Sequence, residues 1–322
     1  MKVLFTKILS FAVPLLVLML ATSVISRKVM VNGDYYKLRP GVNTMLMGHS
    51  HIQCSVNDNF LTGMQNQCMS GEAYYYTYLK LKKLVYENPQ VKTIILSYTN
   101  NQIDHQMDSW IWSEASLYRF YPKFVFLFER EDYEVLLENN PKSVLLSEIK
   151  FVKKFTTFMM RRSGDFLEAE NWGGYFKLER NKLDSILKSD YVEKEWKLDY
   201  SKISKTNIDY LKKIKAFCRE NNVELIFMRA PIRPEWPHNK NEKLYDTIKQ
   251  QYFRDIEMMD FKDFPATVNE MGDLEHMNIH GAIRFSKFFN DLLANGLLKS
   301  SDKQKDIDQA IKKLSLKDSI SG

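Results

Sequence analysis

Cysteine is scarce in this chain of 322 residues. There are three, Cys54, Cys68 and Cys218, and none stands at the CxxC spacing of a structural zinc site. Cys54 and Cys68 could pair in an exported protein, but one thiol would be left over. Cys218 shares a helical face with Leu211, Ile214 and Phe217 and reads as core. Histidine is also sparse: six residues without a recognisable ligand spacing argue against a metal site. Nothing in the sequence calls for an organic cofactor. The formal net charge is only +6, and no basic block is interleaved with aromatics. That excludes nucleic acid as a partner. Hydrophobic runs long enough to span a membrane are absent after the first thirty or so residues.

The one such run opens the chain. In "MKVLFTKILSFAVPLLVLMLATSVISRK", Lys2 and Lys7 precede an uncharged stretch from Ile8 to Ser26, and Arg27 and Lys28 follow it. Its length is at the lower limit for crossing the hydrocarbon core as a helix and exceeds a usual secretory h-region. Pro14 is tolerated in a membrane helix. "ATS" near residue 21 is the alternative, a cleavage site; the lack of an A-x-A pattern favours an uncleaved anchor over a cleaved signal peptide. Similar charges flank both ends and specify orientation weakly. With no other spanning run, export of the remainder is the natural reading.

The expected organisation is an anchor at 1–28, a connector at 29–42, a domain at 43–299 and a charged tail at 300–322, solvated or frayed. Within the domain, "NTMLMG" and "VKTIILSYT" read as buried strands, and "NQCMSG" as a weaker one. "EAYYYTYLKLKKLVYEN" and "TNIDYLKKIKAFCRENN" read as helices, then "VELIFMRAP" as a strand. A helix over 241–253, a weak strand "IEMMDF" and a helix from Asn278 follow. Strands alternating with helices imply a three-layer α/β/α sandwich with a mostly parallel, flavodoxin-like sheet. About 104–200 the alternation stops, and a helical, aromatic-rich insertion is expected beside the carboxyl ends of the strands. Core packing is the plainer use of its aromatics. "FVKKFTTFMMRR" within it has the pattern of a basic amphipathic face for a membrane or a partner.

Four features fall at the ends of these elements. Ser50 lies in "MLMGHSHIQ", just after a strand, where Gly48 allows a tight turn. Gly71 ends the second strand candidate and lets its N–H approach a substrate oxygen closely. Asn100, in "SYTNN", can aim an amide N–H at the same point, with Asn101 as the neighbouring ambiguity. Asp273 and His276, in "DLEHMNIHGA", stand at a spacing at which the carboxylate holds one ring nitrogen and leaves the other to act as a base. In isolation each is an ordinary turn or cap residue. Together they supply nucleophile, base, orienter and oxyanion donors. A serine hydroxyl is a poor nucleophile near neutral pH. General-base help contributes about 10²- to 10⁴-fold, and the oxyanion donors a similar factor.

The ordered set resembles the four blocks of the SGNH (GDSL-type) hydrolases. "GHS" stands where the family writes Gly-Asp-Ser, "YTNN" where it writes Gly-Thr-Asn-Asp, and "DLEHMNIHGAIRFSKFFNDLL" at its closing block. The match covers about residues 43–101 and 205–297. The resemblance implies Ser50 as nucleophile, His276 as base and Asp273 as its orienter. Ser50, Gly71 and Asn100 would form the oxyanion hole. His49 departs from the family's aspartate and Tyr98 from its glycine; His51 is a local neighbour. With the anchor, the chain is similar to bacterial envelope proteins that add or remove acyl groups on surface polymers. That implies an extracytoplasmic domain and an acylated glycan or other ester substrate, with an envelope protein as a further partner. Hydrolysis and O-acyl transfer share the same residues and both stay open. The alternative is an inactive binding or assembly protein that keeps this fold.

Overall fold

The computed structural model describes residues 2–31, 36–161, 172–189 and 202–321. In chain order the helices are α1 (Lys2–Val31), α2 (Ser50–Ser55), α3 (Tyr74–Glu87), α4 (Asn100–Ile103), α5 (Gln106–Ile111), α6 (Glu114–Phe124), α7 (Arg130–Asn139), α8 (Pro141–Arg161), α9 (Leu183–Leu187), α10 (Lys205–Glu220), α11 (Glu242–Phe253), α12 (Ile279–Ala294) and α13 (Lys303–Ser321). The strands are β1 (Thr44–Met47), β2 (Met64–Asn66), β3 (Thr93–Ser97), β4 (Glu224–Arg229) and β5 (Glu257–Asp260). They form one parallel sheet in the order β2-β1-β3-β4-β5. The fold is therefore α/β, as expected, with the strand order of flavodoxin-like sheets.

The chain divides into two compact units, Met1–Lys37 with Ser109–Trp172, and Leu38–Asp108 with Gly173–Gly322. The second holds the sheet. Its central strands are apolar on both faces, as a parallel sheet covered on both sides requires. Leu46, Ile95, Ile226, Met228 and Met259 turn to a core completed by Phe261, Phe264, Phe285 and Phe289. Phe227 points the other way, where it stacks on Tyr98 at 4.7 Å and meets Phe253 at 5.6 Å. Tyr98, which stands where the resemblance expects glycine, is thus a core residue, and its hydroxyl donates to the Tyr245 carbonyl at 3.2 Å.

Two expectations are corrected in this unit. The strand expected over "NQCMSG" ends at Asn66, because the Asn66 side chain takes the Cys68 N–H at 2.9 Å and turns the chain. The tail from 300 is not frayed: it forms α13. Ile307 is fully buried, and Ile311 and Leu314 continue that apolar stripe against the core. Gln304 also brackets the edge strand, accepting from Asp260 N at 2.8 Å and donating to Asp260 O at 3.0 Å. All three cysteines are free and buried, so Cys54 and Cys68 are not paired and Cys218 is core.

The first unit contains α1, α6, α7 and α8. Helix α6 is capped by Ser113 and α7 by a Glu129–Asp132 capping box. Phe120, Phe124, Phe126, Phe128, Phe151 and Phe155 are buried, so the aromatic wealth of the insertion forms a core. Helix α8 buries Val144, Phe151 and Phe155 and exposes Lys150, Lys153, Lys154 and Arg161. Residues Phe5–Ser26 of α1, 22 residues that include an 18-residue stretch of mean hydropathy 2.5, are long and apolar enough to cross a membrane. The helix runs on to Val31, beyond the expected end of the anchor. Residues 32–35 of the expected connector, and 162–171 and 190–201 of the insertion, lie outside the described residues.

Candidate active site

In a sheet of this order, ligands bind outside the carboxyl ends of the strands where the order reverses, here between β1 and β3. Both strands end at functional candidates. After β1, Gly48 adopts φ +117°, and a Cβ there would lie 2.6 Å from Ser97 Cβ. Only glycine fits this crossing of strand ends. The turn delivers Ser50 to the first position of α2, whose far end is held by the Asn66 amide on the Val56 carbonyl at 2.8 Å.

The base comes from the loop before α12. Asp273 Oδ1 accepts the Glu275 and His276 backbone N–H groups at 3.0 and 2.8 Å, and Gly272 N donates to His276 O at 2.8 Å. Asn278 closes the loop by capping α12, accepting from His280 N at 2.9 Å and Gly281 N at 3.2 Å. The His276 ring is thereby fixed. Its Nδ1 lies 2.9 and 3.0 Å from the two Asp273 oxygens, and its Nε2 lies 2.7 Å from Ser50 Oγ. A carboxylate only accepts, so Nδ1 donates to it and the bare Nε2 accepts the serine hydroxyl.

The electrostatics agree with that tautomer. Burial pulls the His276 pKa down, but the ring's hydrogen bond to Asp273 and the charges of Glu275 and Asp273 outweigh it, and the net shift is upward. Burial pushes Asp273 up, yet its hydrogen bond with His276, that ring's charge, the Glu275 N–H and Arg180 hold it well below the usual carboxylate range. Arg180 pairs directly with Asp273. It arrives on a stretch that follows Gly174 N on Cys68 O at 3.1 Å and Phe176 N on Gln53 O at 3.1 Å, and that continues to Lys182 N on Gly272 O at 3.0 Å. This end of the expected insertion does lie along the strand ends.

The remaining candidates divide. Gly71 sits in the turn before α3 with φ +71°. The turn rests on a fully buried ion pair, Lys80 Nζ to Glu72 Oε2 at 2.5 Å, and on Gln102 donating to the Glu72 carbonyl at 3.2 Å. Asn100 does not keep a free amide. Its two hydrogens go to Asn241 Oδ1 at 3.0 Å and Glu242 Oε2 at 2.8 Å, and its oxygen accepts from Arg229 at 3.0 Å. The expected oxyanion donor is spent on a buried network around Arg229, which also engages Asp260. Burial pushes Glu242 up, but Arg229 and Lys262 lower it to about 2.

Asn101 has the complementary arrangement. Its Oδ1 accepts the Thr99 hydroxyl at 2.6 Å, and Thr99 Oγ1 lies 2.8 Å from His49 Nε2. Because the Thr99 proton is used on Asn101, His49 Nε2 donates. His49 is buried, and burial and then the neighbouring His51 and His276 hold its pKa well below the ordinary value, so it is neutral. This relay ties the residue before Ser50 to the loop after β3 and fixes the Asn101 oxygen as an acceptor. The Asn101 amide N–H₂ donates to no acceptor among the described residues.

His51 is not at the nucleophile. Its Nε2 meets Glu275 Oε2 at 2.9 Å, and burial lowers its pKa against the pull of Glu275. Sequence reasoning passed over Glu275 and Arg180; neither stands in a spacing pattern that would have flagged it. Comparisons of the chain with protein-family models, with curated proteins and with solved structures each return no match. The arrangement itself therefore carries the functional argument: a serine, an imidazole and a carboxylate in one hydrogen-bonded line at the sheet's switch point.

Proposed function

We propose that this chain is a serine-dependent acyl ester hydrolase or O-acyltransferase of the SGNH kind. The observation that carries the reading is the continuous line from Ser50 Oγ through His276 to Asp273, at 2.7 and 2.9 Å. Ser50 Oγ attacks the acyl carbonyl as His276 Nε2 takes its proton, and Asp273 stabilises the imidazolium. His276 then returns the proton to the departing alcohol, leaving a seryl ester. Water, or a sugar hydroxyl, gives its proton to His276 and attacks that ester, and Ser50 is regenerated. The oxyanion is held by the Ser50 and Gly71 backbone N–H groups and by Asn101, in place of Asn100, whose amide hydrogens go to Asn241 and Glu242.

The N-terminal apolar helix and the resemblance noted above support an extracytoplasmic domain tethered to the membrane and acting on acylated envelope glycans or other surface polymers. The deciding experiment treats the full-length protein in detergent with a serine-reactive phosphonate and maps the adduct by mass spectrometry. Modification of Ser50, abolished in Ser50→Ala and in His276→Ala, is expected. Intact, folded protein that no such probe modifies would refute the reading. Acetylated glycans with water or sugar acceptors then separate hydrolysis from transfer.

A further inference from the structure

The triad accounts for Ser50, His276 and Asp273 but not for the groups packed around them. His49 and His51 meet at 4.4 Å between ring centroids, and His51 contacts His276 at 5.4 Å and Trp236 at 5.2 Å. Sequence spacing showed no ligand cluster, because its members are distant in the chain. The fold assembles one: a ligand atom from each of His51, Glu275 and His276 lies within 4.8 Å of the others. His51 is fully buried, and the side chains of Glu275 and His276 are 27% and 14% exposed, so the cluster is reachable from solvent.

Two imidazoles and one carboxylate are a zinc donor set, and an open fourth position is what such three-ligand sites keep. Magnesium and calcium prefer oxygen ligands and do not suit it. Zinc ligands at about 2.0–2.2 Å from the metal stand roughly 3.3–3.6 Å apart in a tetrahedron. His51 Nε2 and Glu275 Oε2, now 2.9 Å apart, need little movement to reach that spacing. His276 already has the support that metal-bound imidazoles generally have, a carboxylate on its other nitrogen, here Asp273.

We propose that a zinc-class divalent cation binds across His51, Glu275 and His276 and reversibly holds off the seryl chemistry. The inhibitory consequence rests on the proposed function; the binding site does not. The cation replaces the hydrogen bond between His51 and Glu275: the His51 ring proton moves to Nδ1 and its Nε2 lone pair goes to the metal. It also occupies the Nε2 lone pair of His276 that otherwise accepts the Ser50 proton. Ser50 keeps its hydroxyl proton and is not activated. No oxidation or bond cleavage is involved.

The test has two independent readouts on full-length protein in detergent. Zinc chloride titrated into metal-stripped protein by calorimetry should bind at one ion per chain. Either His51→Ala or Glu275→Gln should weaken that binding by more than about tenfold, since changes even outside the ligand shell cost this much at zinc sites. Ser50→Ala should bind zinc as the parent does. Separately, saturating zinc should slow phosphonate modification of Ser50 by at least about tenfold, with recovery on adding a chelator. In Glu275→Gln, which keeps the side-chain shape, zinc should no longer change the rate that this variant shows without metal. No zinc binding, binding indifferent to both substitutions, or faster modification with zinc would each overturn the proposal. If Ser50 is never modified but zinc binds as described, the seryl reading fails and the metal site stands.

Discussion

Gly48→Ala separates backbone strain from crowding at the turn that presents Ser50. Gly48 holds φ +117°, which side-chain-bearing residues rarely adopt, and such strain costs about 1–3 kcal/mol. The added methyl would lie 2.6 Å from Ser97 Cβ and 3.3 Å from Ser97 N. It cannot swing away, because β1 is locked to β3 through Met47 opposite Leu96. Overpacking of this kind adds about 1–3 kcal/mol, for a total of about 2–6 kcal/mol. If instead the turn yields, Ser50 leaves its 2.7 Å contact with His276, and a displacement of about 1 Å can cost about 10²-fold in rate. Gly41→Ala is the control: its φ is +80°, but nothing lies within 4 Å of a Cβ there, so only the strain remains. The assay is the urea midpoint together with the rate of phosphonate modification of Ser50. Gly48→Ala should lose more stability than Gly41→Ala, or modify far more slowly, or both. Equal losses with an unchanged rate in both variants would refute the crowding argument.

Three further outcomes are expected. His276 must be neutral to accept the Ser50 proton, and its pKa is raised; modification should therefore rise with pH through a midpoint above about 6.5. Asp273→Asn removes the main source of that rise, so the midpoint should fall while the plateau drops by up to about 10⁴-fold; a wild-type midpoint below 6 would contradict this. Asn101→Ala should slow modification by about 10²–10³-fold, whereas Asn100→Ala should cost about 1–3 kcal/mol of stability by taking three hydrogen bonds out of the buried network and leaving the Asn241 side-chain oxygen without its donor. The two results exchanged would restore Asn100 as the oxyanion donor. Truncation after Ser300 strips Ile307 from the core, a loss of about 2 kcal/mol from that side chain alone; a melting temperature unchanged from the full chain would mean that α13 is not part of the fold.

Local pattern was enough for most of the fold. The strands around Leu46, Ile95 and Phe227 are short runs with apolar centres bounded by turn signals, and helices such as α10 and α12 repeat apolar residues at 3.6-residue intervals. Local pattern failed where a distant partner decides. Ile307, Ile311 and Leu314 are too few to mark a buried helix in a charged stretch, and only the exposed end of the core beside β5 makes them one. "NQCMSG" has the composition of a strand, but the Asn66 side chain competes for the backbone and ends it.

The site was legible to the extent that its chemistry needs particular residue types at strand ends. Ser50, Asp273 and His276 could be picked out because a nucleophile, an orienter and a base at these positions form a coherent set, and the structure brings them together. What could not be read was the direction in which neighbouring side chains turn. Asn100 and Asn101 are chemically identical and adjacent. They are told apart only by Arg229, more than a hundred residues on, which draws the first amide into its network, and by Thr99, which holds the oxygen of the second. The same holds for the histidines on either side of Ser50. They are the nearest bases in sequence, yet the turn at Gly48 and the start of α2 aim His49 at Thr99 and His51 at Glu275. The residue that reaches Ser50 comes from 226 residues along the chain, on a loop whose own aspartate accepts the hydrogen bond of one ring nitrogen and leaves the other bare toward the serine.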